Sequence, residues 1–193
     1  YYEQTRIGTQ PNPMARIPAG RFTMGTDDRL PDEGPAHGVE LPAYDIDLYE
    51  VTNGQYKAFM DATGHRSPSQ FENRTWPAGK VDHPVVGVTW NDAHDYCAWA
   101  GKRLPTEEEW EKAARGADAR RYPWGEEFGM QRANTPLYWT SLGREGDTSP
   151  VGSAVAAAET RRLEARTAFS TALVREFASE TEESLSRRRL AAV

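Results

Sequence analysis

The chain has 193 residues, a formal net charge of −6 and a pI of about 5.3, so it offers no basic face to nucleic acid or to an anionic membrane surface. No apolar run approaches the roughly 18 to 20 residues of a membrane-spanning helix. Cys97 is the only cysteine, which excludes an intrachain disulfide and leaves the compartment open.

Composition divides the chain in two. All 16 Gly, 13 Pro and 6 Trp fall at or before Gly152, whereas residues 153–193 contain no Gly, Pro, Trp, Lys, Asp or Asn and are rich in Ala, Arg and Glu. The expected organisation is an N-terminal extension over 1–15, a single body over 16–152 and a tail over 153–193. The sequence opens Tyr1-Tyr2 without an initiator methionine or leader, so the natural N-terminus is expected to lie elsewhere and targeting is not readable.

In chain order, Arg16 to Gly25 reads as a short strand pair around a Pro18-Ala19-Gly20 turn, and Val39 to Val51 as a further extended stretch. The first helix is predicted from about Asn53 to Ala62. Thr52 is its N-cap, Gln55 the reciprocal partner three residues on, and Val51 can staple against Tyr56. Phe59 and Met60 continue the apolar face, and Gly64 closes the helix.

Pro84 to Thr89 is expected to be a short buried strand. Thr89 or Asn91 then opens a second helix, in which Ala93, Cys97 and Ala100 share a stripe with Tyr96 and Trp99 beside it. The segment from Gly101 to Gly116 carries a third helix with start and stop written in: Thr106 caps, Glu109 completes a capping box, Pro105 can staple against Trp110, and Gly116 ends it. Trp110, Ala113 and Ala114 are predicted to face the core. Glu107, Glu108 and Glu109 lie in the first turn, where the helix dipole favours negative charge. That accounts for the acidic run as a capped, solvated helix start rather than a catalytic carboxylate cluster.

The connection from Gly116 to Gly152 is long and loop-like, and needs bound metal or close tryptophan packing to be ordered. In the tail, Leu163, Phe169, Leu173, Val174 and Phe177 partly fit an amphipathic helix over about 158–178, and Arg187 to Arg189 read as a solvated end.

Candidate chemistry is sparse. His37, His65, His83 and His94 show no metal-ligand cadence. His94 and Cys97 stand one helical turn apart, but two donors make a poor zinc site. The Asp27-Asp28 pair and Asp45-x-Asp47 lack the cadence of an EF-hand. Cys97, on an apolar helical stripe, is expected to be a buried and inert thiol.

Taken together, IPAGRFTMGT (Ile17 to Thr26), DEGPAHGVEL (Asp32 to Leu41), YEVTNGQYKAFM (Tyr49 to Met60), the run from His83 to Gly116, YPWG (Tyr122 to Gly125), Ala133-Asn134 and SPVGS (Ser149 to Ser153) occur in an order that resembles the formylglycine-generating enzyme, or sulfatase-modifying factor, domain family. The resemblance implies an α+β, loop-rich, C-type-lectin-like fold with structural calcium. It places calcium ligands at Asn134, at the backbone carbonyl of Thr135 and at Asp147; turn hydrogen bonds are the other reading of Asn134 and Asp147. It also implies, for oxidase members, copper(I) held by two cysteines of the domain's later half. The motifs of that half do not follow Ser153. The tail is read either as a shifted reading frame on a truncated domain or as a helical element joined to it.

The implied activity of the family is oxidation of a Cys or Ser in a client protein to formylglycine, with this chain expected to be inactive as given. The alternative is a non-catalytic, lectin-like binding or scaffolding module. A protein or peptide client is the expected kind of partner, with no nucleic acid, no membrane span, and the oligomeric state open.

Overall fold

The computed structural model describes residues 10–28, 31–129, 132–143 and 145–153; the expectations for the tail lie outside these. Among the described residues are four short strands and four α-helices: β1 (Met14–Ile17), β2 (Gly20–Met24), β3 (His37–Leu41), β4 (Tyr44–Asp47), α1 (Asn53–Thr63), α2 (Trp90–Trp99), α3 (Glu107–Arg115) and α4 (Pro136–Ser141).

The expected hairpin around Pro18-Ala19-Gly20 does not form. β1 pairs antiparallel with β4 and β2 with β3, and the two ladders share one register: Ile17 faces Tyr44 and, three residues along each arm, Gly20 faces Leu41. They are one long ribbon broken at Pro18 and Pro42, because proline has no N–H to give to a ladder. The first strand starts at Met14, inside the stretch expected to be an extension.

The break is filled from α3. The Lys112 ammonium donates to the carbonyl oxygens of Pro18 (2.9 Å) and Gly20 (2.7 Å). Beside it, Glu111 Oε1 accepts from Gly25 N–H at 2.8 Å and Arg115 Nη1 donates to Gly25 O at 3.0 Å. Ala113 packs with Ala15, Ile17, Tyr44 and Ile46. The ribbon is thus held on α3 by a small apolar cluster and a polar seam that satisfies backbone groups at the break and just past the end of β2.

Three helices carry complete capping boxes, at Thr52/Gln55, Thr89/Asp92 and Thr106/Glu109. Gly64 ends α1 in the left-handed conformation at φ 74°, and Gly116 follows α3 at φ 72°, both accessible to glycine at little cost. α1 buries Tyr56, Phe59 and Met60 against Phe71 and Val85, with Val51, Trp76, Val88 and Tyr96 around them. Pro84 to Thr89 is not a strand. Its order comes from an isolated bridge, Thr52 to Pro84, and from Val85 N–H to Val51 O at 2.9 Å.

Two expected core positions are only half-buried, Trp110 and Cys97. On α3 the buried residues are Glu109, Lys112, Ala113 and Ala114, so the face is turned toward the carbonyls at the ribbon's break and away from Trp110. On α2 only Asp92 is buried, and Trp90 and Trp99 remain about half exposed, Trp99 with one side against Phe59.

Candidate functional site

The loop that includes residues 80–85 is the junction that the candidate ligand Asp147 reaches. On one side it receives the start of α1: Asn53 N–H donates to His83 O (2.9 Å), Gly54 N–H to Val81 O (3.1 Å) and Asn53 Nδ2 to Lys80 O (2.8 Å). On the other it receives residues 147–151, through Val151 N–H to Asp82 O at 2.9 Å and a 2.8 Å contact between His83 Nδ1 and Thr148 Oγ1.

Asp147 reaches this junction through Lys80, Asn134 joins it through the Asp147 main chain, and Thr135 bonds into α4. Asn134 Nδ2 donates to the main-chain oxygen of Asp147 at 2.8 Å, while Asn134 Oδ1 accepts from the indole N–H of Trp139. Thr135 is the N-cap of α4; its hydroxyl accepts from Tyr138 N–H and its carbonyl from Trp139 N–H, both at 3.3 Å. The Asp147 carboxylate is 2.6 and 2.8 Å from the Lys80 ammonium, and its Oδ1 also accepts from Thr148 N–H at 2.7 Å.

The Lys80 hydrogen bond is the main reason the Asp147 carboxyl sits below the usual carboxylate range; partial burial opposes it. His83 next to it is pushed down by burial and then by the Lys80 charge. Each oxygen that the resemblance turns toward calcium therefore already accepts a hydrogen bond from this chain. What does not fit a divalent cation is the Lys80 ammonium seated on the single carboxylate of this set.

The other candidates are dispersed. His37 Nδ1 lies against Pro35 O at 2.9 Å. His94 stacks on Trp90 with ring centres 5.2 Å apart. His65 packs on Phe59, with Nε2 3.6 Å from both Asp92 Oδ1 and Asp95 Oδ2. Among the described residues no group of three His, Cys, Asp or Glu is placed to hold a metal ion. The Cys97 thiol is pushed up to about 11, by burial first and the Asp47 charge second, which makes it a poor nucleophile or metal ligand near neutral pH. A soft copper(I) ion asks for two thiolates, and a sequence with one cysteine does not fit it.

Of the acidic run, Glu107 is exposed and Glu109 is buried. Glu109 accepts from Thr106 N–H and pairs with both terminal nitrogens of Arg103 at 2.6 Å, which leaves it no role as a free acid or base. Lys80 and Lys112 carry much of this architecture, and neither is visible in the sequence as anything but a charged residue. The α4 helix did have a readable signal, a Thr cap followed by proline at the first helical position.

A family model described as the sulfatase-modifying factor enzyme 1-like domain matches residues 3–159. The chain is 35% identical over 183 residues to the inactive C-alpha-formylglycine-generating enzyme 2 of Bos taurus, covering 72% of this chain and 60% of that protein. It is 34% identical over 200 residues to the formylglycine-generating enzyme of Bos taurus, covering 75% and 54%. It is 37% identical to the serine/threonine-protein kinase Pkn1 of Chlamydia trachomatis serovar L2, with 79% and 27% covered. Among solved structures, PvdO from Pseudomonas aeruginosa superposes with a TM-score of 0.59 at 37% identity, covering 72% of this chain and 62% of that one. CarF, at a TM-score of 0.51 and 21% identity, shares the fold. The chain spans less than two thirds of the length of the three curated relatives and of PvdO. These likenesses establish that the chain belongs to the sulfatase-modifying factor enzyme 1-like family and has its α+β, C-type-lectin-like fold.

Proposed function

We propose that these residues form the framework part of a formylglycine-generating-type domain and carry no copper-dependent oxidase chemistry of their own. The family reaction, conversion of a client Cys or Ser to formylglycine, then belongs to proteins that supply the thiolate pair. The observation that carries this reading is the single cysteine, half-buried on α2 with its thiol held protonated. One thiol cannot give two-thiolate copper(I) ligation, and a relative named as an inactive formylglycine-generating enzyme supports a non-oxidising role within the family.

A binding or scaffolding role is favoured by the exposed indoles of Trp90 and Trp99 on α2, since large exposed aromatic side chains suit protein contact. The test is to incubate the chain with copper, oxygen and a peptide containing Cys-x-Pro-x-Arg. No aldehyde should form; protein-dependent aldehyde would refute the proposal. Fluorescence anisotropy of the same peptide, compared between the wild type and Trp90→Ala, checks the binding role.

A further inference from the structure

We propose that in this chain the Lys80 ammonium takes the place of a divalent cation at the Asn134–Thr135–Asp147 junction, so that the order of this corner is independent of calcium. The argument starts from charge. Asp147 is the sole carboxylate in the three-residue set, and both its oxygens lie within 2.8 Å of Lys80 Nζ. A calcium ion bound to that carboxylate would meet a positive charge at bonding distance from the same oxygens, and like charges this close repel.

The neutral oxygens of the set already have partners within the chain. Asn134 spends its carbonyl on Trp139 and its amide on the Asp147 main chain, and the Thr135 carbonyl accepts the first backbone bond of α4. Lys80 does not reach Asp147 from a loose loop. Its carbonyl is held by Asn53 Nδ2 at the buried start of α1, and its own N–H donates to Pro77 O at 3.1 Å. The ammonium therefore ties the residue 147–151 segment to the α1 junction, which is the mechanical task of a structural cation in a loop-rich fold. A lysine is a point charge with three donors and can serve a carboxylate in this way without a ligand cage.

The experiment uses the full chain, with calcium chloride alone as the probe. Equilibrium dialysis should show no stoichiometric calcium, and the melting temperature should be the same in calcium and in EGTA. Lys80→Met should speed amide exchange at Thr148 and Val151 by roughly tenfold or more, as local opening becomes easier; Lys80→Arg should keep the wild-type pattern. One calcium bound per wild-type chain with a raised melting temperature overturns the proposal. So does a Lys80→Met variant whose exchange at these amides is unchanged. If Lys80→Met does not fold, dialysis and melting of the wild type and Lys80→Arg still decide the matter.

Discussion

Helices α1 and α2 are written in the same local grammar and have different fates. Each has a threonine N-cap and a complete capping box, and each carries aromatic residues at helical spacing. α1 buries Tyr56, Phe59 and Met60 almost completely, with Met60 at 0% exposure, whereas Trp90 and Trp99 of α2 remain 49% and 44% exposed. The caps specify where a helix begins; burial is specified by what arrives to cover it. For α1 that cover is Phe71 and Val85 with Trp76 and Tyr96. α2 contributes chiefly Tyr96 and Trp99 to the aromatic stack on Tyr56 and Phe59, with ring centres 5.7 to 5.9 Å apart.

The contrast can be broken most forcefully in the α1 core. Phe59→Ala should destabilise the chain by about 3–5 kcal/mol, the range for a buried Phe reduced to Ala. A denaturant midpoint shifted by much less would show that the α1 cluster is loosely packed and that the two helices differ little.

The second test addresses the polar joint between them. Arg66 Nε donates to Asp92 Oδ1 at 2.8 Å, Arg66 Nη2 reaches Oδ2 and Thr89 Oγ1, and Thr89 N–H donates to Asp92 Oδ2 at 2.8 Å. Burial alone would raise the Asp92 carboxyl, but the Arg66 and Thr89 hydrogen bonds outweigh it and hold it at about 2. A carboxyl depressed in the folded state stabilises above its unfolded value and loses that contribution as pH falls. Stability should therefore drop between about pH 4 and pH 2. Asp92→Asn should cost about 1.5–3 kcal/mol at pH 7, the range for hydrogen bonds to a charged group, and should flatten this part of the acid profile. A variant with the wild-type acid profile would assign the acid loss elsewhere.

The smallest effect is expected on the open face of α2. Trp90→Ala should change stability by no more than about 0.5 kcal/mol, as for a surface site whose ring partner, His94, is itself exposed. A loss of several times that amount would mean that Trp90 is covered in solution.

How much of this was legible depends on how far apart the determinants lie. The three capped helices were readable to within a residue or so because a capping box needs only four consecutive positions, and Tyr56, Phe59 and Met60 follow from spacing within one helix. The ribbon is not legible locally, because Ile17 and Gly20 look like two sides of a turn until their partners, Tyr44 and Leu41, are known. Period alone places Trp110 in the core, yet the buried side of α3 is decided by carbonyls at Pro18 and Gly20. At the candidate site the sequence did bring Asn134 and Asp147 together, through the family resemblance. It gave no hint of Lys80, 67 positions before the carboxylate it engages, because a lysine in a loop has no local signature of pairing.

The Lys112 bridge has a consequence for the order in which the polypeptide matures. Its nitrogen joins carbonyls 94 and 92 positions earlier, and contacts of such separation are slow to close because the intervening loop must first be gathered. During synthesis both arms of the ribbon leave the ribosome well before Lys112 exists. Until then water must serve the carbonyls of Pro18 and Gly20, and the nascent ribbon lacks the clamp that fixes it on α3. Final docking of the N-terminal third is thus a post-α3 event, timed by a residue far along the messenger.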